Sequence, residues 1–293
     1  MPLHKTEHIP CPNCTTTAYT VQHKVQQWQI VQCKQCKFTY TNPRLTSSAI
    51  IALYQSNYFA NQQFGYSNYN ENPHLKKLNF KKWITDALPY CNSTHNLTAL
   101  DVGCAAGFAL EEYKNLQIQA DGLDMDEQYI YNLTQQGYTI YTKPLLQNVY
   151  NKQYHIISLF DVVEHLTDVH LHFAKLQQLL VTGGIVIIVT PNYNSTQRRL
   201  LGSKWFQFKP IEHINYFTKT SLKSLASRHG LQMLVCNTSG QFADANFISN
   251  RLQKYNFGFA KILTTPIIAV LKMLKKPLYL DSASIYCVFR KKG

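Results

Sequence analysis

The sequence has no uninterrupted apolar run long enough to cross a bilayer. The longest late candidate, Ile262–Leu274, is broken by Thr264-Thr265-Pro266 and by Lys272, whereas a spanning helix needs about 20 predominantly apolar residues. An export signal is missing as well: the N-terminus is polar and reaches Cys11 with no apolar stretch before it, which predicts a cytoplasmic protein. Acidic charge is scarce. There are 16 Asp and Glu against 29 Lys and Arg, a net charge of +13. The lysines are nevertheless spread along the chain and form no long basic block, so a basic tail is excluded. An ordinary basic surface, an anionic membrane, a phosphorylated substrate and RNA all remain compatible with that charge. Disorder is not, because 45% of the residues are hydrophobic. At 293 residues the chain can form one sizeable α/β domain and a small accessory module.

A further absence concerns glycine. Leu100-Asp101-Val102-Gly103-Cys104-Ala105-Ala106-Gly107-Phe108 reads as a strand end, a lean turn and a helix start, with Leu110, Tyr113 and Leu116 continuing at helical spacing. A dinucleotide fingerprint would place glycines at 103, 105 and 108, but positions 105 and 108 hold Ala and Phe. Phe108 blocks the close helix–strand packing that the third glycine permits. The alternative spacing, acid-x-Gly-x-Gly-x-Gly, fits at 101, 103 and 107, with Ala105 one methyl larger than ideal. Such a turn brings backbone N–H groups and a helix N-terminus up to an anion. Asp101 adds a carboxylate suited to an ammonium or hydroxyl group.

Half of the 8 cysteines are grouped as Cys11-Pro-Asn-Cys14 and Cys33-Lys-Gln-Cys36. In a chain without an export signal this indicates metal ligation rather than disulfides. The spacing matches a zinc ribbon, in which two turns present four thiolates to a tetrahedral Zn²⁺. Val21, His23 and Val25, then Trp28 and Ile30, alternate as a hairpin would, and Phe38-Thr-Tyr40 supplies a third strand. Four thiolates close the coordination sphere, so the ion is structural, and it supplies stability that so small a core lacks. Thr15 and Lys37 stand where glycine often follows each CxxC.

The chain divides into a ribbon (1–43), a helical, Tyr-rich linker and lid (44–95), and an α/β domain (96–293) with a helical insertion at 245–280. Tyr54, Tyr58, Phe59, Tyr66 and Tyr69 read either as anchors of a surface loop or as a lid carrying hydroxyls to a ligand. Ile118–Leu123 is a second strand ending in Asp124-Met125-Asp126. Asp124 falls about 20 residues past Gly103, where an acid can accept both ribose hydroxyls of an adenosine. Asp126 suits a helix cap. The loop after the third strand, Lys143–Gln147, lacks an acid. His155–Phe160 is the fourth strand, followed by Asp161-Val-Val-Glu164-His165-Leu166-Thr-Asp168. His170 and His172 read as solvent-facing, Gly183-Gly184 as a helix end, and Ile185–Val189 as a strand buried on both faces. Thr190-Pro191-Asn192 stands at its carboxyl end. A basic aromatic segment, Arg198–Lys209, leads to Glu212-His213-Ile-Asn-Tyr216-Phe217. Leu231–Cys236 and Ser284–Arg290 are the last strands. Phe257–Leu274, flanked by lysines, reads either as an interfacial helix on an anionic membrane or a partner, over about residues 257–276, or as a helix on the domain's own core.

Taken in order, these motifs resemble bacterial class I S-adenosylmethionine (SAM)-dependent methyltransferases, over about residues 11–237 and the final strand. The group they resemble carries an N-terminal zinc ribbon and includes deoxysugar C-methyltransferases and relatives of the ubiquinone O-methyltransferases. The resemblance implies a Rossmann-like seven-stranded sheet whose last strand is antiparallel, with SAM over strands one, two and four. It implies that Asp101, Gly103, Ala105 and Gly107 cradle the methionine end and Asp124 holds the ribose beside Met125. Asp161 and Val162 would then lie against the adenine or sulfonium, with Glu212, His213 and Tyr216 at the acceptor. His213 is the candidate general base, ahead of His165, whose motif serves enzymes with many substrates. The expected acceptor is a sugar or nucleotide-sugar, for which the basic cluster 198–209 suits a diphosphate. RNA methylation and a non-catalytic SAM- or zinc-binding interaction protein are the alternatives.

Overall fold

The computed structural model describes residues 5–50, 71–254, 268–269, 272 and 276–293. The chain opens with short strands around the two CxxC turns: β1 (Thr6–Glu7), β2 (Tyr19–Val25), β3 (Trp28–Cys33), β4 (Thr39–Thr41) and β5 (Arg44–Leu45). Strands β2, β3 and β4 form an antiparallel ribbon, as the alternation predicts. Thr15 (φ 62°) and Lys37 (φ 60°) adopt the left-handed conformation after each CxxC, which explains why glycine would be favoured there.

The α/β domain follows as α1 (Pro73–Ala87), β6 (Thr98–Val102), α2 (Phe108–Asn115), β7 (Gln119–Leu123), α3 (Glu127–Gln135), β8 (Ile140–Tyr141), β9 (Tyr154–Phe160), α4 (Val169–Leu179), β10 (Leu180–Pro191), α5 (Thr196–Leu201), β11 (Asn215–Tyr216), α6 (Lys219–Arg228), β12 (Leu231–Ala243), α7 (Ala245–Lys254) and β13 (Leu278–Lys291). The 7-stranded sheet has the order β12-β13-β10-β9-β6-β7-β8, with β13 antiparallel to both neighbours and β6 to β10 parallel. This is the expected Rossmann-like sheet.

The period of two along each strand feeds two core layers. On one face Leu100, Ile157, Val186, Ile188 and Phe289 meet Phe173 and Leu176 of α4 and Leu222 and Leu225 of α6. On the other, Ala99, Ile156, Ile185, Ile187 and Val288 meet Phe80, Trp83 and Ile84 of α1. Ile185–Val189 is buried on both faces, as its composition requires.

Several boundaries differ from the expectation. Helix α4 ends at Leu179, and β10 starts at once. Gly183 and Gly184 lie within that strand at a register shift between Leu180 and Ile185. A Cβ on Gly184 would come 3.0 Å from the carbonyl oxygens of His155 and Val181, so the pair serves a bulge rather than a helix end. Strands β12 and β13 run on as a longer hairpin, from Gly240↔Asp281 to Ala243↔Leu278. The irregularity at Ser239/Gly240 interrupts the apolar pattern and hides this extension. His172 is buried, with its Nδ1 bonded to the Asp168 carbonyl at 2.6 Å.

Tyr54, Tyr58, Phe59, Tyr66 and Tyr69 lie outside the described residues, as does most of 257–276. Of the predicted insertion, Ala245–Lys254 is helical. Among the described residues, no helix is long and apolar enough to cross a membrane.

Candidate cofactor, acceptor and metal sites

Between β6 and α2 the turn is built from left-handed residues: Gly103 (φ 76°), Ala105 (φ 44°) and Gly107 (φ 78°). A Cβ on Gly103 would sit 2.6 Å from Cγ2 of Val162, so this glycine lets the segment after β9 close against the turn. Helix α2 starts at Phe108 with no side-chain cap. Its first N–H groups therefore have no intrahelical partner and suit an anion such as a carboxylate.

Asp124 closes β7 beside this turn. Its Oδ2 accepts from the Ala105 N–H at 2.7 Å, and its Oδ1 from Met125 N–H at 2.8 Å and Asp126 N–H at 3.0 Å. Burial pushes its pKa up while these three N–H groups pull it down. A carboxylate has about four lone-pair sites, so Asp124 both braces the turn and retains capacity for one hydroxyl. Asp126 caps α3 through the N–H groups of Gln128 and Tyr129. Asp101 is only 3% exposed and lies beneath the turn, accepting from Ser158 Oγ at 2.6 Å. Burial raises its pKa to about 7.

A second group of side chains gathers where β9 and β10 end. Asp161 leaves β9 in the left-handed region (φ 54°) and donates its N–H to the Val189 carbonyl at 2.8 Å. Glu164, 2% exposed, accepts from Thr190 Oγ1 at 2.9 Å through Oε2, while Oε1 has no hydrogen-bond partner among the described residues. Burial raises its pKa strongly, and the Asp161 charge adds to the effect. His165 Nδ1 bonds the Glu212 carbonyl at 2.9 Å, and His213 Nδ1 bonds the Gln207 carbonyl at 2.9 Å. A carbonyl only accepts, so the Nδ1 of His213 carries its proton and its Nε2 keeps a lone pair, while His165 also hydrogen-bonds the Asp161 backbone. The two rings meet edge-on, centroids 4.9 Å apart. Burial lowers His165 to about 4, and burial together with the charges of His165 and Lys209 lowers His213 well below its ordinary value. Both imidazoles are therefore neutral at cellular pH.

Asp161 is raised by burial to about 6, against the opposing charges of Lys209 and Lys76. The Lys209 ammonium stands 3.8 Å from Glu212 Oε2. Chemically this is a largely buried cluster with a lone-pair nitrogen on His213, an acid prone to protonation and a nearby cation. One donor atom each from Glu164, His165 and His213 lie within 4.8 Å of one another, close enough to hold a divalent metal.

The structure thus brings Glu212 and His213 together with His165 and Asp161, and places Val162 against Gly103. Tyr216, close enough to Glu212 to feel its charge, is held by the ribbon. It pairs with Thr39 of the ribbon, and its ring packs among Tyr193 and Phe208. Arg198 covers the Tyr193 ring at 4.3 Å and donates to that residue's carbonyl at 2.7 Å, so it has a packing role within the basic segment. Sequence reasoning assigned no site role to Glu164 or Thr190, and gave Lys209 one only as a member of the basic cluster 198–209 suited to a diphosphate. The acid pair at 161 and 164, after an apolar strand, was a usable signal for Glu164. For Lys209 the signal was the basic segment as a whole, with nothing to single this lysine out from Arg198, Arg199 and Lys204.

In the ribbon, Cys11, Cys14, Cys33 and Cys36 converge, with sulfurs within 4.8 Å of one another. Cys11–Cys36 and Cys14–Cys33 each measure 3.5 Å between sulfurs. Four thiolates on a tetrahedral Zn²⁺ with 2.3 Å bonds lie about 3.8 Å apart, so the donor set fits that ion.

Comparison with known proteins agrees with this geometry. A family described as "Methyltransferase domain" matches residues 74–236. The ubiquinone biosynthesis O-methyltransferase of Bartonella quintana (strain Toulouse) is 25% identical over 152 residues, which are 47% of this chain and 62% of that protein. The chain thus spans less than two thirds of that curated relative's length. Among solved structures, a Bacillus halodurans C-125 protein described as a methyltransferase superposes with a TM-score of 0.52 at 11% identity, over 74% of this chain and 100% of that one. A Haloferax volcanii complex of the Trm112 methyltransferase activator with a methyltransferase gives 0.52 at 11% identity, over 75% and 93%. At such identities the likeness is one of fold.

Proposed function

Since the chain belongs to the methyltransferase domain family, we propose that it transfers a methyl group from SAM to a small-molecule acceptor, a sugar or nucleotide-linked sugar. The observation that carries this reading is the contact between the two halves of the site. Val162 packs against Gly103 of the turn, and three residues further on His165 meets His213. The turn residues Gly103, Ala105 and Gly107 and the uncapped start of α2 would hold the carboxylate end of SAM. Asp124 would take a ribose hydroxyl beside Met125, with Asp161 and Val162 flanking the reacting centre and Asp101 supporting the turn from below.

SAM supplies an activated methyl group. This chain's residues hold the acceptor about 3 Å from it, exclude water and accept a proton. His213 does the last of these through Nε2, because its Nδ1 proton is committed to the Gln207 carbonyl. Its lowered pKa leaves the Nε2 lone pair unprotonated, with a weaker pull on the acceptor proton than a free imidazole has. Lys209 compensates negative charge on the acceptor, and Glu212 holds Lys209. The ribbon cysteines Cys11, Cys14, Cys33 and Cys36 hold one structural Zn²⁺.

Calorimetry with SAM and with NAD tests the cofactor, and SAM alone should bind. For the base, His213→Ala should lower kcat roughly 10²–10⁴-fold while SAM affinity stays within a few-fold. A variant with near-normal kcat on the identified acceptor would transfer the role to His165.

A further inference from the structure

The ribbon is not a separate appendage. Its sheet has the order β11-β4-β3-β2, so the strand that follows Glu212-His213 is hydrogen-bonded as the fourth strand of the cysteine ribbon. Asn215 pairs with Tyr40 and Tyr216 with Thr39. One residue earlier, the Thr41 N–H donates to the Ile214 carbonyl at 3.0 Å, and the Thr41 hydroxyl donates to the His213 carbonyl at 3.2 Å. Thr41 is fully buried, and its hydroxyl also lies beside the phenol of Tyr216. From the opposite side, Ile214 N–H donates to the Glu164 carbonyl at 3.0 Å and Asn215 Nδ2 to the Leu166 carbonyl at 2.8 Å. The backbone of 213–215 is therefore clamped between β4 and the turn that carries His165.

The ribbon itself is gripped at its metal end. The Asn13 carbonyl, between Cys11 and Cys14, accepts from Arg228 Nη1 at 2.7 Å and bonds His170 Nε2 at 3.0 Å. Next to Cys36, Phe38 packs edge-on against Phe217 at 5.3 Å. Arg44, just past the ribbon, reaches the Thr167 carbonyl at 2.7 Å. Cys11, Cys33, Phe38 and Tyr40 belong to the same core layer as Leu222 and Phe173.

We propose that the cysteine ribbon is a working wall of the acceptor site, in which Thr41 on β4 is a positioning residue that sets the backbone, and hence the imidazole aim, of His213. The proposal rests on the acceptor-site reading above, and it adds a role for the ribbon: the four-thiolate centre holds β4 in register, and β4 holds His213. Among the described residues, no hydrogen bond joins the turn at Gly103–Gly107 to the ribbon. Loosening β4 should therefore affect the acceptor side and spare the SAM side.

The test compares wild type with Thr41→Val, which keeps the shape and removes the hydroxyl, and Thr41→Ser, which restores it. Three quantities are read on the full chain: SAM affinity by calorimetry, the imidazole ¹⁵N and ¹H resonances of His213 by NMR, and kcat on the identified acceptor. Thr41→Val should shift the His213 resonances and lower kcat about 10–100-fold, the order expected for sub-ångström to ångström misplacement. SAM affinity should stay within about twofold, and Thr41→Ser should recover both signals. Removing the metal with a chelator should shift the same His213 resonances. Thr41→Val with unmoved His213 resonances would overturn the proposal, even if its Tm falls. Equal loss of SAM binding and kcat would overturn it too, because that reports general unfolding. Failure of the wild type to methylate any acceptor would sink the functional reading instead. The NMR comparison would still decide whether the ribbon positions His213.

Discussion

At the scale of single residues, the turn after β6 illustrates how chemistry and backbone compete. Ala105 is held at φ 44° and is 3% exposed. A left-handed non-glycine residue costs about 1–2 kcal/mol, whereas glycine costs about 0.5–1 kcal/mol in chain entropy and forfeits a buried methyl worth about 0.8 kcal/mol. These nearly cancel, so Ala105→Gly should change stability by less than about 1 kcal/mol, measured by denaturant midpoint. Gly103→Ala has no such balance. Its new Cβ would meet Val162 at 2.6 Å at a φ of +76°, and a loss of about 1–3 kcal/mol is expected. Equal effects for the two would contradict this account of the turn. Asp124→Ala should weaken SAM binding by about 1.5–3 kcal/mol and also lower Tm, since the carboxylate holds three backbone N–H groups of the turn. The buried histidines set a pH dependence. His165 is depressed from 6.5 to about 4, so between those values the unfolded chain takes up a proton that the folded chain refuses. Stability therefore falls as pH drops through that window. Asp161, raised from 3.8 to about 6, works in the opposite direction over its own window. His165→Gln should flatten the acid loss of Tm between pH 6.5 and 4, and an unchanged slope would contradict the assignment. These residues were readable in sequence only as types. Glu-His after an aromatic segment pointed to a base, but nothing in the sequence indicated that the imidazoles of His165 and His213, distant in the chain, would meet edge-on.

At the scale of elements, local periodicity was legible and long-range pairing was not. The alternation at Val21–Ile30, the apolar run Ile185–Val189 and the acid that ends β7 each declare their element from neighbours in sequence. The pairing of β11 with β4 does not, because Asn215-Tyr216 is too short to carry a strand pattern and its partner lies in a different module. The extension of β12 and β13 past Ser239 was hidden by polar residues and an irregular register. Gly183-Gly184 misled in the same way, since the dipeptide that ends a helix also serves a bulge. The cysteine ribbon yields its own prediction. Elemental analysis should find one Zn²⁺ per chain, and its removal should lower Tm, because Cys11 and Cys33 are part of the main core layer. A metal-free chain with four reactive thiols and unchanged Tm would refute the metal assignment.

For the whole molecule, the net charge of +13 suggested several partners, and the structure gives some of its basic residues local roles. Arg228 grips the ribbon, Arg198 packs on Tyr193, Arg44 ties the ribbon to the Thr167 carbonyl, and Lys209 faces the acids of the acceptor wall. Fold class and cofactor turn were legible because both rest on spacing within single βα units. The acceptor side was legible only as motifs, since it is assembled from three distant segments. The central claim is that this chain moves a methyl group from SAM to a small molecule. Mass spectrometry can follow a ¹³C-methyl label from SAM, in the presence of the purified protein, into a small-molecule cell extract and into total RNA side by side. The account predicts S-adenosylhomocysteine formation and label in a sugar-bearing small molecule, abolished by His213→Ala. Label in RNA alone, or no S-adenosylhomocysteine in either sample, would contradict it.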